Sequence, residues 1–270
     1  MGEIEGSAGT VAAAFYTDDG VHVPAVTTDQ MREVDRIAVE EFGLQILSMM
    51  ENAGRNLSEN AKEMLGAAES GEKITKAVVV LAGSGGNGGG GLACARHLRN
   101  RGFRIEVILD RQAEELRGAA RHQLQVLQAS GVQPLPVSQA REAISQAGMV
   151  VDALIGYGLR GAPQGITEAL IELCNGEAAR ILSLDVPSGL DATTGESPGA
   201  AIHPERTLTL ALPKTGLARA GGGLYLSDIG IPPHLYQRLE ISVPPLFSRK
   251  YWIRLTTGAE APQSAAGGRE

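Results

Sequence analysis

The stretch AVVVLAGSGGNGGGG, residues 77–91, carries most of the information about the fold. Its first six residues form an apolar, β-branched run, which is typical of a strand buried on both faces of a parallel sheet. The next nine residues are glycine except for Ser84 and Asn87, and glycine lets a turn adopt positive φ and a ligand approach the backbone. A helical pattern begins at Gly91, and helix N-termini attract anions. A flexible low-complexity loop is the alternative, but this setting favours a phosphate-binding strand–turn–helix unit.

Outward from this unit, apolar strands and helical patterns alternate along the chain. Strands are predicted at 77–82, 104–110, 149–154, 180–184, 206–212 and 224–229. Helices are predicted between them at 91–100, 112–129 and 166–174. Strands that alternate with helices form βαβ units, which require parallel pairing. We therefore predict an α/β fold, a Rossmann-like three-layer α/β/α sandwich with a mostly parallel central sheet.

The two ends of the chain lack this periodicity. Residues 1–24 have mixed composition, and we expect a loose N-terminal arm there. Thr27 and Gln30 then form a capping-box pattern, which predicts the start of a helix. We expect a single domain at 25–240, followed by a flexible C-terminal tail at 241–270.

Composition excludes several classes of function. The 270 residues carry 24 basic and 31 acidic side chains, a net charge of −7. This balance argues against a nucleic-acid or anionic-membrane surface, because phosphate contacts there require clustered Lys and Arg. No stretch approaches the ~18 apolar residues of a membrane span, and the first residues lack the pattern of a signal peptide. We expect a cytoplasmic protein with no nucleic-acid or membrane partner.

Two further loops with polar residues follow predicted strands, at 152–158 and 185–191. A single Asp at a strand end can simply cap the next helix. The carboxyl ends of parallel strands share one edge of the sheet, however, and ligands bind there. We therefore expect Asn87, Asp152, Asp185 and Ser188 to converge. Hard oxygen ligands of this kind suit an alkali or alkaline-earth cation better than zinc.

Taken together, these motifs give a specific resemblance. The chain resembles the NAD(P)H-hydrate epimerases, the YjeF N-terminal domain family, over about residues 25–239. The motifs that carry the resemblance are, in order, 50–55 (MENAGR), the glycine turn with 95–98 (ARHL), 152–156 (DALIG), 185–191 (DVPSGLD), 214–216 (KTG) and 228–232 (DIGIP).

The resemblance implies an activity and a set of site residues. Members of the family interconvert the R and S hydrates of NADH and NADPH, which carry an added hydroxyl on the nicotinamide ring. They usually bind one potassium ion and are often dimers. By motif, Asn87, Asp152 and Ser188 correspond to potassium ligands, and Asp185 to the catalytic, substrate-contacting carboxylate. The substrate-binding residues implied are Gly86, Asn87, Gly88, Gly89, Gly90, Gly156, Tyr157, Gly158, Leu159, Arg160, Gly161, Ala162 and Asp185.

The family's dehydratase domain, which is commonly fused to the epimerase, would need several hundred more residues. We therefore expect any dehydratase to be a separate chain.

The glycine turn departs from the family pattern. Where the family has Asn-Asn-Gly-Gly-Asp-Gly, this chain has Gly86 in place of the first Asn and Gly90 in place of the Asp. Two alternatives stay open: an epimerase that relies on backbone contacts, with reduced or lost activity, or a non-catalytic nucleotide- or partner-binding protein on the same fold. A third, an NAD-dependent dehydrogenase, would use the Gly83–Gly88 turn with Asp110 as its ribose-binding acid, but it leaves the loops at 152–158 and 185–191 unexplained.

Overall fold

A computed structural model of the protein describes residues 14–66 and 76–258. Its strands are β1 (Phe15–Thr17), β2 (His22–Val23), β3 (Val78–Ala82), β4 (Ile105–Leu109), β5 (Met149–Ala153), β6 (Ile181–Leu184), β7 (Arg206–Leu210), β8 (Gly223–Ser227) and β9 (Trp252–Thr257). Its helices are α1 (Thr28–Glu40), α2 (Ile46–Met64), α3 (Gly86–Arg99), α4 (Gly118–Ala129), α5 (Ala140–Gln146), α6 (Ile166–Glu177) and α7 (Pro233–Gln237). In this part of the chain, no helix is long and apolar enough to cross a membrane.

The strands form one nine-stranded sheet in the order β2-β1-β9-β8-β7-β6-β5-β3-β4. Pairing is parallel from β4 through to β8 and antiparallel among β8, β9, β1 and β2. The prediction of a mostly parallel α/β sheet is confirmed.

The sheet separates two cores, because successive side chains of a strand point to opposite faces. In β3, Val78 and Val80 face a core shared with α1, α2, α3, α4 and α7. Val79 and Leu81 face the other core, which is shared with α5 and α6. Helices therefore cover both faces, and the three-layer sandwich predicted from sequence is confirmed.

Helix α3 begins at Gly86, five residues earlier than the sequence pattern indicates. Most of the glycine run is thus helix rather than turn, and close packing explains its composition. A Cβ at Gly88 would lie 1.8 Å from the carbonyl oxygen of Gly83, and one at Gly91 would lie 2.5 Å from the Cβ of Ala153. Glycine lets the helix approach the turn and the sheet at these positions, and the turn itself is confined to residues 83–85.

Helix α1 begins as the capping-box pattern predicts. The Thr27 N–H donates to Gln30 Oε1 at 2.9 Å, and the Gln30 N–H donates to Thr27 Oγ1 at 3.3 Å. The helix predicted at 112–129 is instead interrupted. A 3₁₀ turn occupies Ala113–Glu115, and α4 starts only at Gly118, which has a positive φ of 53°.

The predictions of a loose N-terminal arm and a flexible C-terminal tail are wrong for residues 14–24 and 241–258, the parts of these segments that the structure describes. Strands β1 and β2 lie within the expected arm, and β9 lies within the expected tail. β9 pairs with β8 on one side and with β1 on the other. These strands are short and their partners are distant in sequence, so local periodicity does not reveal them. Residues 1–13 and 259–270 of the arm and tail lie outside the described residues.

This antiparallel part of the sheet carries a third apolar cluster. Phe15 of β1 and Leu255 of β9 belong to it together with Val186 and Leu190, which lie in the loop after β6. Strands β1 and β9 therefore pack behind the loop that begins with Asp185.

Candidate active site

A cavity of about 920 Å³ lies at the carboxyl edge of the parallel strands. From β3 the chain winds to β4 on one side of the sheet and then returns to β5 on the other side of β3. Open α/β sheets bind their ligands at such a reversal. The loops after β3, β5 and β6 contribute to the lining, and so does α1.

Asp185 follows β6 directly and lines this cavity, with only 3% of its surface exposed. Its φ of 66° lies in the left-handed region, and its N–H donates to the Leu208 carbonyl at 2.7 Å. Asp tolerates this conformation better than most residues, but it is still strained, and such strain concentrates at functional sites. The backbone therefore holds the carboxylate in a fixed direction.

Lys214 is the ionic partner of Asp185. Its side chain is 1% exposed, and its Nζ donates to Asp185 Oδ1 and, at 2.8 Å, to the Leu210 carbonyl. Removing either member of a buried ion pair leaves an uncompensated charge, which is strongly destabilising. The sequence analysis gave Lys214 no role. The only local signal is a lone cation that directly follows the apolar stretch 210–213.

Gly156 brings Asn87 and Asp185 together. A Cβ at Gly156 would lie 3.1 Å from Asp185 Oδ2 and 3.2 Å from Asn87 Oδ1. The side chains predicted from two separate loops thus share one corner of the cavity. Asp185 Oδ2 also accepts the N–H of Tyr157 at 3.2 Å.

Tyr157 links this corner to helix α1. Its hydroxyl donates to Asp35 Oδ2 in a short hydrogen bond, and its ring centroid lies 5.8 Å from Lys214 Nζ. Burial raises the pKa of Asp35, and the hydrogen bond from Tyr157 opposes this. Burial together with Asp35 raises the pKa of the Tyr157 hydroxyl far above its ordinary value. The sequence analysis missed Asp35, because its segment shows only the ordinary amphipathic pattern of a helix.

Asp152 is fully buried beneath the cavity and accepts four hydrogen bonds. The Ser188 Oγ and the Leu154 N–H donate to its Oδ1 at 2.5 and 3.3 Å, and the Ser183 Oγ and the Ser188 N–H donate to its Oδ2 at 2.8 and 2.9 Å. Burial raises the pKa of this carboxyl, and these hydrogen bonds lower it. The structure therefore places the predicted metal ligands Asp152 and Ser188 in direct contact.

Asn87 has an unsatisfied amide. Its Nδ2 is buried and has no hydrogen-bond partner among the described residues. Such a group is costly, and the amide oxygen and nitrogen can exchange places by a half-turn of the side chain. The amide oxygen then occupies the position without a hydrogen-bond partner, and a cation could bind to it there. The Asn87 side chain lies against Gly156, next to Ile155, whose N–H donates to Ser188 Oγ at 2.8 Å.

The predicted substrate-binding residues divide into two groups. Gly86 and Asn87 line the cavity, and so does every residue of 156–162. Gly88, Gly89 and Gly90 are instead buried within α3 and are not part of the lining. A Cβ at Gly90 would lie 2.7 Å from Leu184 Cδ2. The expectation that Gly90 belongs to the substrate grip is wrong for this structure, because that position faces the core.

Asp110 lines another part of the same cavity, but its carboxylate is already engaged. It accepts hydrogen bonds from Arg111 Nε at 2.9 Å and from Thr167 Oγ1 at 3.0 Å. Arg111 and Thr167 thus hold the Asp110 carboxylate, and the dehydrogenase interpretation still leaves the loops at 152–158 and 185–191 unexplained.

Known proteins resemble this chain over most of its length. Residues 46–216 match the family described as YjeF-related protein N-terminus. A protein of Dehalogenimonas lykanthroporepellens named NAD(P)H-hydrate epimerase is 44% identical, over 93% of this chain and 100% of its own. A protein of Moorella thermoacetica named bifunctional NAD(P)H-hydrate repair enzyme Nnr is 37% identical, over 78% of this chain and 41% of its own.

A crystal structure of the yeast protein YNL200c has a similar fold. It superposes with a TM-score of 0.76 at 23% sequence identity and covers 86% of this chain and 100% of the yeast chain. This likeness shows that the two proteins share their fold.

Proposed function

Because this chain belongs to the YjeF-related protein N-terminus family, we propose that it interconverts the R and S hydrates of NADH and NADPH. The observation that carries the proposal is the Asp185–Lys214 pair, buried at the cavity where the winding of the sheet reverses. Relatives that match nearly the whole chain and are named NAD(P)H-hydrate epimerase support it.

The chemistry of the substrate explains why a carboxylate suits this position. The hydrate carbon is bonded to a hydroxyl and to the ring nitrogen, so moving a proton to or from that hydroxyl allows reversible C–O or C–N cleavage. Re-addition on the other face gives the epimer. Lys214 occupies Oδ1 of Asp185, whereas Oδ2 lies at the corner shared with Gly156 and Asn87. Oδ2 is therefore the oxygen in position to exchange a proton with the substrate.

The rest of the cavity suits a dinucleotide. Its volume of about 920 Å³ is at the upper end of the ~300–1,000 Å³ range of ligand pockets. Helix α3 begins at Gly86 in its wall, and a helix N-terminus binds phosphate through backbone N–H groups and its positive dipole end. Arg32 and Arg160 also line the cavity and supply positive charge, whereas the charge of Arg111 is paired with Asp110. A phosphorylated ligand is thereby favoured although the chain as a whole is acidic.

The residues beneath the cavity fit a potassium ion. Asp152 and Ser188 supply a carboxylate and a hydroxyl in contact, and the unpaired Asn87 amide supplies a third ligand. Hard, partly neutral oxygen ligands suit such an ion. When bound, potassium would supply a positive charge that favours ionised carboxylates near the reacting ring. In this proposal Asn87, Asp152 and Ser188 hold the ion and Asp185 moves the proton.

The potassium site predicts a cation-dependent stability. Potassium at about 100 times its dissociation constant should stabilise the fold by about 2.7 kcal/mol, which raises Tm by roughly 5–11 °C for a domain of this size. Thermal unfolding in potassium, sodium and tetramethylammonium at one ionic strength measures this effect. Asn87→Ala should abolish the difference between the salts. Equal melting temperatures of the wild-type protein in all three salts would contradict the site.

Restoring the family residues at Gly86 and at Gly90 should have opposite effects on the protein. A Cβ at Gly86 meets only the end of the Met50 side chain, at 3.7 Å, and faces the cavity. Gly86→Asn should therefore raise kcat/KM about two- to tenfold, the value of one recovered hydrogen bond of ~0.5–1.5 kcal/mol. Gly90→Asp should destabilise the protein, since it buries a carboxylate against Leu184. Steady-state kinetics and thermal unfolding of both variants check this. A stable and more active Gly90→Asp variant would contradict the assignment of Gly90 to the core.

Other parts of the biological setting belong to the same proposal. Bifunctional relatives join hydrate repair activities in one chain, and this chain covers 41% of the Moorella protein. We propose that a dehydratase activity acts next in hydrate repair. A homodimer and a cytoplasmic location stay predictions.

The decisive experiment follows purified R-hydrate of NADH by chiral chromatography, with and without the protein. Conversion to the S-hydrate well above the spontaneous rate supports the epimerase. Hydrate binding without rate enhancement would favour the non-catalytic alternative, in which Gly86 lacks the substrate contact that the family's Asn makes.

A further inference from the structure

Tyr157 connects two carboxyl groups of the cavity. Its backbone N–H donates to Asp185 Oδ2 at 3.2 Å, and its hydroxyl donates to Asp35 Oδ2. Asp35, Tyr157 and Asp185 all line the cavity. The two carboxyl groups therefore stand at opposite ends of one tyrosine, on different elements of the fold.

The surroundings of these two carboxyl groups differ. Asp185 is paired with the buried ammonium of Lys214. Burial raises the pKa of Asp35, whose charged and titratable neighbours are Tyr157, Lys214 and Asp185, with Tyr236 of α7 and, one turn earlier on α1, Arg32. Asp35 thus keeps a proton to higher pH than an ordinary aspartate. Asp35 is thus suited to donate a proton, and Asp185, beside a cation, to accept one.

By the C–O cleavage route, the proposed reaction requires proton transfer in two places. The R and S hydrates carry their hydroxyl on opposite faces of the ring. A single fixed carboxylate reaches only one face of a ring held in one position. The strained backbone of Asp185 and its bond to Lys214 fix that carboxylate. Inversion without turning the ring over therefore needs a second proton-transfer group.

We propose that Tyr157, backed by Asp35, transfers the proton on the face of the nicotinamide ring that Asp185 does not serve. This inference rests on the proposed epimerase function. Tyr157 turns its hydroxyl proton from Asp35 to the hydroxyl of the hydrate and gives it up, and a proton from Asp35 replaces it across the same contact. The C–O bond breaks, its electron pair leaves with the water, and the nitrogen lone pair forms a C=N⁺ bond. Water then adds on the opposite face, the C=N π electrons return to nitrogen, and Asp185 accepts the proton. Asp185 then releases its proton to solvent and Asp35 takes one from solvent, which restores the starting enzyme. The reverse reaction uses the same groups in exchanged roles, and nothing is oxidised or reduced.

Oxygen exchange tests this arrangement directly. Each purified epimer is incubated with enzyme in ¹⁸O-water, and both label uptake and epimerisation are measured. Wild-type enzyme should label both epimers as it converts them. Tyr157→Phe keeps the ring over Lys214 but removes the hydroxyl, so epimerisation should fall about 10²-fold or more, the scale of acid–base catalysis. One epimer should still take up label without inverting, because Asp185 can release and re-add water on its own face.

Asp35→Asn should behave like Tyr157→Phe: one epimer should take up ¹⁸O without inverting, and epimerisation should be slow. Glu33→Gln is the matched control, because Glu33 lies on the same helix, pairs with Arg36 and is not part of the cavity lining. It should leave both rates unchanged. Equal loss of exchange in both epimers, or unchanged epimerisation in Tyr157→Phe, would overturn the inference. A wild-type enzyme that neither epimerises nor exchanges label would instead reject the proposed function itself.

Discussion

Replacing Asp185 with asparagine should lower the epimerisation rate by about 10²–10⁴-fold, the usual contribution of a general acid or base. The amide has nearly the same shape and tolerates the left-handed backbone, but it cannot take up and return a proton. The rate is measured on purified R-hydrate by chiral chromatography, and hydrate binding by calorimetry. Binding should change far less than turnover.

Asp191→Asn is the matched control for this variant. Asp191 ends the same loop and accepts the N–H groups of Thr193 and Thr194 at 2.9 and 2.8 Å, contacts that an asparagine oxygen can keep. It is not part of the cavity lining, so its turnover should match that of the wild type. An Asp185→Asn enzyme with wild-type turnover would remove Asp185 from the mechanism.

Lys214→Met should cost about 3–5 kcal/mol of stability, because it leaves the buried Asp185 carboxylate without its counter-charge. For a domain of this size Tm should fall by roughly 6–20 °C. Chemical and thermal unfolding measure the loss. The double variant Asp185→Asn with Lys214→Met removes both charges. Its loss of stability should therefore be smaller than the sum of the losses of the two single variants.

Lys62→Met on α2 is the control for this effect. Lys62 pairs with Glu59 at 2.7 Å, but its side chain is 25% exposed, and exposed pairs contribute only about 0–1 kcal/mol. Additive losses in the Asp185–Lys214 cycle, or an equal loss in Lys62→Met, would show that the buried pair has no special role in stability.

The amino-acid sequence predicts the parallel part of this fold well, because the features that determine it are local. The apolar run at 78–82 and the alternation of strands with helices are visible in short windows of sequence. The antiparallel strands are not, because β1 and β9 pair across almost the whole chain. The glycines of α3 were assigned to a turn because composition alone does not distinguish a ligand-binding loop from close helix packing.

For the cavity too, local sequence predicts some of the residues and only the tertiary fold reveals the others. Asn87, Asp185 and Ser188 follow strands of one sheet, and Asp152 lies near the carboxyl end of β5, so topology alone predicts that they lie near one another. Asp35 and Lys214 come from a helix before the parallel sheet and from a loop beyond β7. Nothing in their local sequence points to Asp185, and only the tertiary fold brings them to it.

Strands β1 and β9 meet in the sheet, and this affects the order in which the site can be completed. Ala14 accepts the N–H of Gly258 at 3.0 Å, and β1 joins the sheet through β9. During synthesis β1 therefore cannot pair with β9 until residues 252–257 have emerged, although domains commonly fold as their chain is made. Phe15 and Leu255 form the floor behind Val186 and Leu190. The loop that carries Asp185 thus gains this support only when β1 and β9 have paired, and a nascent chain that ends before residue 252 lacks it.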